Sequence, residues 1–206
     1  LAFVIITPEL TESVIFHLRE NFFADEPLNK AVALCRRGEP HEELERLCAA
    51  TMADGLSIAA VENNQVIANT NKGVVESLTK IQLSSDDKYN KIFTILYSVS
   101  RDLDLFNTYN AECIMECRIV SVSAETRGRG LARRLIARSL ELAKQHGFKL
   151  FKVDATGAYS QRICRSLNMR EARCVYYDEY RDETGQQVFS VPPPHSCLCI
   201  MIAELA

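Results

Sequence analysis

Apolar residues recur along this chain in two rhythms. Spacings of three and four place Val14, Ile15, Leu18 and Phe22 on one helical face. They do the same for Ile92, Leu96, Val99, Leu103 and Phe106, and for Leu131, Leu135, Ile136, Leu140 and Ala143, so each set predicts a helix. Short apolar runs bounded by turn residues predict strands at 1–6, 56–61, 66–75, 112–122, 148–153 and 197–203. Thr7-Pro8-Glu9 opens the first helix with a capping residue, a proline and an acid. Asp25-Glu26-Pro27-Leu28 ends it, and a second helix is expected from this break to Arg37, stopped by Gly38. A third spans 41–53, before Gly55. Asn63-Asn64 turns one strand onto the next, and polar residues 80–89 read as a loop. Gly147 closes the helix that begins at Leu131. Residues 154–160 lead into a helix through Leu167. Residues 174–180 and 187–191 read as a strand pair around Glu183-Thr184-Gly185, and Pro192, Pro193 and Pro194 form a rigid link. Strand, glycine-rich loop, helix, strand, helix and strand pair together predict an α/β fold with a mixed sheet, as one domain spanning 1–206.

Composition narrows the classes. Of 206 residues, 47% are hydrophobic and 25% charged, enough for a sizeable core. The net charge of −3 argues against nucleic-acid binding driven by phosphate neutralisation. No apolar run approaches the roughly 18–20 residues of a membrane span. Residues 1–6 are too short for a signal peptide and lack a basic flank, so a cytoplasmic protein is expected. The eight cysteines are then expected as reduced thiols. Neither Cys113/Cys117 nor Cys197/Cys199 has zinc-ligand spacing with a matching partner, so no metal is expected. No heptad or long apolar edge advertises a partner, which predicts a monomer.

Chemistry concentrates in Arg127-Gly128-Arg129-Gly130-Leu131-Ala132. A glycine turn entering a helix offers backbone N–H groups and the positive end of a dipole, which suits phosphate. A dinucleotide fingerprint fits Gly128 and Gly130 and finds an acid at Asp154. However, it places Arg133 where close helix packing needs glycine, and four residues separate strand from turn. The pattern [RQ]-x-x-G-x-[GA] is met in full by Arg127, Gly130 and Ala132. It resembles the pyrophosphate loop of the Gcn5-related N-acetyltransferases, which bind acetyl-CoA.

Two further stretches sharpen the resemblance. Phe22-Phe23-Ala24-Asp25-Glu26-Pro27-Leu28-Asn29 and Thr156-Gly157-Ala158-Tyr159-Ser160 are similar to signature segments of insect arylalkylamine N-acetyltransferases. With the loop and Pro194-His195, the similarity spans nearly the whole chain. It implies the Gcn5-related fold: a mixed, mostly antiparallel sheet flanked by helices, with the cofactor arm in a gap between the strand ending at Val122 and strand 148–153. It implies acetyl transfer from acetyl-CoA to a small amine, with Glu26 as general base. Thr156 and Ser160 would be hydroxyls near the acetyl group, and His195 a helper on the amine side. Val122 and the backbone of Arg127, Gly128, Arg129, Gly130, Leu131, Ala132 and Arg133 would contact the cofactor. The chain departs from the pattern in three places. Thr156 replaces a serine, and Leu167-Asn168-Met169 replaces L-G-F. Cys164 stands where vertebrate relatives carry the tyrosine that protonates the leaving thiolate. Asn168 tolerates the left-handed conformation, so that turn can survive. Without the resemblance, Glu26 reads as a helix-start acid, Ser160 as a cap and His195 as a loop residue. Other readings stay open: an acetyltransferase for a non-aromatic amine or polyamine, a non-catalytic CoA-binding relative, or a dinucleotide-dependent oxidoreductase.

Overall fold

The chain is described here by a computed structural model covering residues 1–76 and 83–205. Strands β1 (Ala2–Ile5), β2 (Ile58–Glu62), β3 (Gln65–Val75), β4 (Ile114–Val122), β5 (Leu150–Ala155), β6 (Arg170–Tyr176) and β7 (Cys197–Glu204) form one sheet, ordered β1-β2-β3-β4-β5-β7-β6. All neighbours are antiparallel except β4 and β5. A parallel pair needs a crossover, and helix α6 (Leu131–Gln145) supplies it. Leu131, Leu135, Ile136 and Ala143 are its buried face, as the spacing predicts. The other helices are α1 (Thr11–Asn21), α2 (Pro27–Ala31), α3 (Glu42–Ala53), α4 (Asp87–Arg101), α5 (Leu105–Thr108) and α7 (Ala158–Ser166).

Two irregularities open the sheet. β4 and β5 register over only three pairs, Met115–Phe151, Glu116–Lys152 and Cys117–Val153. Beyond them the two strands diverge, as the resemblance implies. In β4, Ile119 faces Asn71 but Cys117 faces Lys72, so Arg118 is an extra, bulged residue. The bulge exchanges the faces of the strand. Before it, Met115 and Cys117 pack with Ile136 of α6; after it, Ile119 packs with Leu18 of α1, and Val120 takes the α6 side.

Several expected boundaries shift. The second helix is only α2, because Ala33 turns left-handed at φ 51° and Leu34 N–H closes onto Asn29 O, a Schellman-type stop. A 3-10 turn, Pro8–Leu10, precedes α1, and Thr7 makes no side-chain cap. Residues 80–82 of the expected polar loop lie outside the described residues. From Asp87 that stretch is helix, because Asp86 caps α4 by accepting from Lys88 and Tyr89 N–H. Asp104, at φ 45°, separates α4 from α5. The strand pair 174–180/187–191 does not form as expected. β6 pairs instead with β7, and only an isolated bridge joins Arg181 to Gln187. Rings drive this: Tyr177, Tyr180 and Phe189 pack together and pull the excursion onto the core. Asn168 is left-handed at φ 58°, so the departed L-G-F turn is kept. The cysteines are not all reduced: Cys174 and Cys199, directly opposed across β6 and β7 with Cα atoms 4.3 Å apart, form a disulfide. The sulfur of Cys197 lies beside both. No helix among the described residues is long and apolar enough to cross a membrane.

Candidate active site

A cleft of about 1300 Å³ runs through the gap between β4 and β5. Glu26, Thr156, Ser160 and His195 line it, as do Val122, Arg127, Gly128, Gly130, Leu131, Ala132 and Arg133. Residues from four distant stretches of sequence therefore line one cleft.

At the cofactor end, Ala124–Thr126 makes a 3-10 turn that fills the spacing between strand and glycine loop. Gly128 and Gly130 take φ of 82° and 72°, a region that costs a side chain energy, and a Cβ on either would meet nothing within 4 Å. The glycines thus serve the turn and leave space before the unpaired N–H groups that open α6, a cradle that suits a pyrophosphate. Of the arginines, Arg127 and Arg133 stay on the cleft wall. The Arg129 guanidinium donates to both carboxylate oxygens of Glu62, at 2.9 and 2.8 Å, and is not among the residues that line the cleft. Arg134 and Arg138 cover the ring of Phe3.

Glu26 is both helix cap and cleft residue. Its Oε2 accepts from Asn29 N–H at 2.7 Å, the capping role that a bland reading assigns. Its Oε1 is buried with no hydrogen-bond partner among the described residues. Burial pushes the carboxyl's pKa up, against the pull of Thr156 and of the Asn29 and Leu28 N–H groups. Neighbouring Asp25 is paired with Arg37 at 2.6 Å and faces Arg127 at 3.5 Å. Its charge is thereby compensated by the two arginines.

Gly157 locks the convergence. A Cβ there would sit 2.9 Å from His195 Nδ1 and 3.2 Å from Pro27 Cγ, so only glycine lets these three segments touch. His195 Nδ1 accepts from Ala158 N–H at 3.1 Å, its ring stands edge-on to Tyr159, and burial with nearby Lys30 lowers its pKa. Ser160 Oγ donates to Gly157 O at 2.9 Å. Tyr177, which sequence reasoning missed, is buried and donates to Thr156 O at 2.6 Å, fixing that peptide. Cys164 is not on the cleft. It is fully buried among Cys117, Ile136 and Val153, and burial pushes its thiol up to about 12. The vertebrate acid's position is therefore core here.

A buried charge cluster, also unanticipated, lines the cleft where the strands part. Lys152 Nζ lies 2.7 Å from Glu116 Oε2 and 2.7 Å from Asp154 Oδ1. Arg118 reaches Glu116 at 3.1 Å and donates to Thr51 Oγ1. Burial works against the Glu116 charge, but Lys152 and Arg118 outweigh it and hold the carboxyl below its usual range. Burial raises Asp154, with Lys152 opposing and Glu116 adding. Alternating charges at 152 and 154 inside an apolar strand are the one sequence signal of this cluster. Phe22, Tyr89, Ile92, Phe93 and Leu96 also line the cleft.

The divided sheet, bulged β4 and glycine cradle define the class of the Gcn5-related N-acetyltransferases. The chain aligns with arylalkylamine N-acetyltransferase 2 from Aedes aegypti at TM-score 0.95 and 40% identity, covering 100% of this chain and 99% of that one. It also shares its fold with the Drosophila melanogaster polyamine N-acetyltransferase, at 22% identity, 99% of each chain and TM-score 0.86. The C-terminal condensation domain of Ebony, in complex with β-alanyl-dopamine, aligns at 13% identity and TM-score 0.78, over 99% of this chain and 98% of that one. No protein-family model matches the sequence. With 40% identity over its full length, the chain belongs to the insect arylalkylamine N-acetyltransferase family. It is an acetyltransferase whose acetyl donor is acetyl-CoA.

Proposed function

We propose that this enzyme acetylates the primary amine of a small arylalkylamine, of the dopamine, tyramine, octopamine or serotonin class, by direct attack with Glu26 as general base. The observation that carries this reading is that Glu26 lines the cleft and that its buried Oε1 has no hydrogen-bond partner among the described residues. An alkylamine resembles a lysine side chain and arrives protonated; freeing its lone pair at pH 7 spans about 3.4 pKa units, on the order of 4–5 kcal/mol. A carboxylate whose affinity for protons is raised by burial, and which has one oxygen unspent, takes that proton directly or through a water. Oε2, bound to the α2 N-terminus, fixes the aim of Oε1.

Acetyl-CoA supplies the acetyl group as an activated thioester. The N–H groups around Gly128–Arg133, with Arg127 and Arg133 on the cleft wall, hold its pyrophosphate, and the gap between β4 and β5 receives its arm. Thr156, steadied by Tyr177, and Ser160 orient groups at the reacting end. His195, with Nδ1 occupied by Ala158 N–H, braces the amine side. Every one of these groups comes from one chain, so a monomer suffices.

A polyamine reading draws on Glu116 and Asp154, whose carboxylates would attract a second cation. Lys152 and Arg118 already neutralise them, and the flanking wall is aromatic and aliphatic, which favours an aryl substrate. The test is a panel of purified amines with acetyl-CoA and a free-thiol readout. Aryl ethylamines should give the highest kcat/KM; preference for agmatine or spermidine would contradict the aryl assignment.

A further inference from the structure

We propose that the Ser121 hydroxyl donates a hydrogen bond to the acyl carbonyl oxygen of the bound thioester, aimed by His17 and Asn21. The inference rests on acetyl-CoA being the acyl donor in this cleft, and is independent of the amine and of the base.

His17 and Asn21 stand one turn apart on α1. His17 is 3% exposed, and its Nε2 is 2.9 Å from Ser121 Oγ. The Asn21 amide is oriented from two sides: Oδ1 accepts from Ala124 N–H at 3.2 Å, and Nδ2 donates to His17 O at 3.0 Å. That same Nδ2 faces His17 Nδ1 at 3.5 Å. An amide N–H facing Nδ1 favours Nδ1 as the acceptor, which places the ring proton on Nε2, toward Ser121 Oγ. Burial keeps the imidazole neutral, with a pKa lowered to about 4 against an opposing pull from the Val66 carbonyl.

The consequence falls on Ser121. With its oxygen accepting from His17, its own proton has no acceptor among the described residues, and Ser121 lines the cleft together with Asn21 and Val122. It lies beyond the Arg118 bulge, where β4 has left β5 and faces the α1 side. A thioester threading the gap toward Glu26 passes this wall. A hydroxyl already oriented in a desolvated site stabilises negative charge developing on the carbonyl oxygen without reorganising. The network also ties α1, which leads to Glu26, to Ala124 at the start of the turn before the cofactor loop. Ser121 is thus assigned a catalytic role, and His17 and Asn21 are positioning residues.

The test measures binding and turnover separately. Calorimetry compares CoA with a ketone analogue of acetyl-CoA that keeps the acyl carbonyl and cannot transfer it. Ser121→Ala should leave CoA affinity within about twofold, weaken the ketone analogue roughly 5–10-fold, and lower kcat about 10²-fold. His17→Leu should behave alike. His17→Gln, whose amide places an N–H near the Nε2 position, should recover most of the analogue affinity and of kcat. Equal binding of the ketone analogue by wild type and Ser121→Ala would overturn the proposal, as would indistinguishable Leu and Gln variants at position 17. Should wild type bind the analogue but acetylate none of the tested amines, the amine assignment fails while the binding comparison still decides the role of Ser121.

Discussion

Lys152→Met probes the charge cluster that lines the gap. The Lys152 side chain is 2% exposed and lies within 2.7 Å of both Glu116 and Asp154, themselves 13% and 14% exposed. Methionine fills the volume but removes the cation, leaving two carboxylates facing Arg118 alone. Breaking a buried pair on one side costs about 3–5 kcal/mol, a large share of the roughly 5–15 kcal/mol that holds a domain together. At about 2–4 °C per kcal/mol for a chain of this size, the melting temperature should fall by about 6–20 °C. The loss should depend on pH with a definite sign. Asp154 has a folded pKa above its unfolded value, so the folded state binds the extra proton and stability falls as pH rises between those two values. Without Lys152 the Asp154 carboxyl rises further, so the deficit is fullest above the variant's higher Asp154 value and shrinks as pH drops from there toward the wild-type value. Lys152→Met with Asp154→Asn removes cation and orphaned carboxylate together, leaves Glu116 with Arg118, and should recover most of the loss. Urea unfolding at several pH values reads all of this. A single variant within about 1 kcal/mol of wild type at pH 8, or a deficit that grows on acidification, would refute a dry, compensated cluster.

Two other substitutions test the geometry. Gly130→Val forces a β-branched residue to φ 72° and fills the open space before α6; CoA affinity by calorimetry should fall at least about tenfold, with the strain costing roughly 1–2 kcal/mol, and unchanged affinity would contradict the cradle. Gly157→Ala places a methyl 2.9 Å from His195 Nδ1, so steady-state kinetics should show kcat reduced about tenfold or more through a misplacement at the reacting end while CoA affinity holds; a fully active variant would show that this contact is not needed.

What the sequence made legible follows from the range of each interaction. The cofactor loop is local: Arg127, Gly130 and Ala132 are spaced by the turn they build, and α6 repeats every three or four residues, so both could be read directly. The Asn168 turn was legible for the same reason. Glu26 was not legible from chemistry alone, because a carboxylate before Pro27 looks like any helix start, and the structure shows that it is indeed a cap. Only the resemblance singled out its second oxygen. Long-range register hid the rest. Nothing near Lys152 announces that β5 lies parallel to β4 with Glu116 opposite, and nothing in α1 announces that His17 meets Ser121. The β6–β7 pairing, and with it the Cys174–Cys199 bond, was missed because Tyr177, Tyr180 and Phe189 carry the intervening chain away from the hairpin that their neighbours suggest.

The central claim is that Glu26 removes the amine proton, and the pH–rate profile of Glu26→Gln tests it most directly. Glutamine keeps the size and can still accept at the α2 N-terminus, so CoA affinity should stay near that of wild type. At neutral pH kcat should fall about 10²–10⁴-fold, and the deficit should narrow as pH approaches the amine's own value near 10.4, where solvent supplies the free base. A Glu26→Gln enzyme with near-wild-type kcat at neutral pH, or a deficit that stays constant up to pH 10, would contradict the account and leave Glu26 as a helix cap.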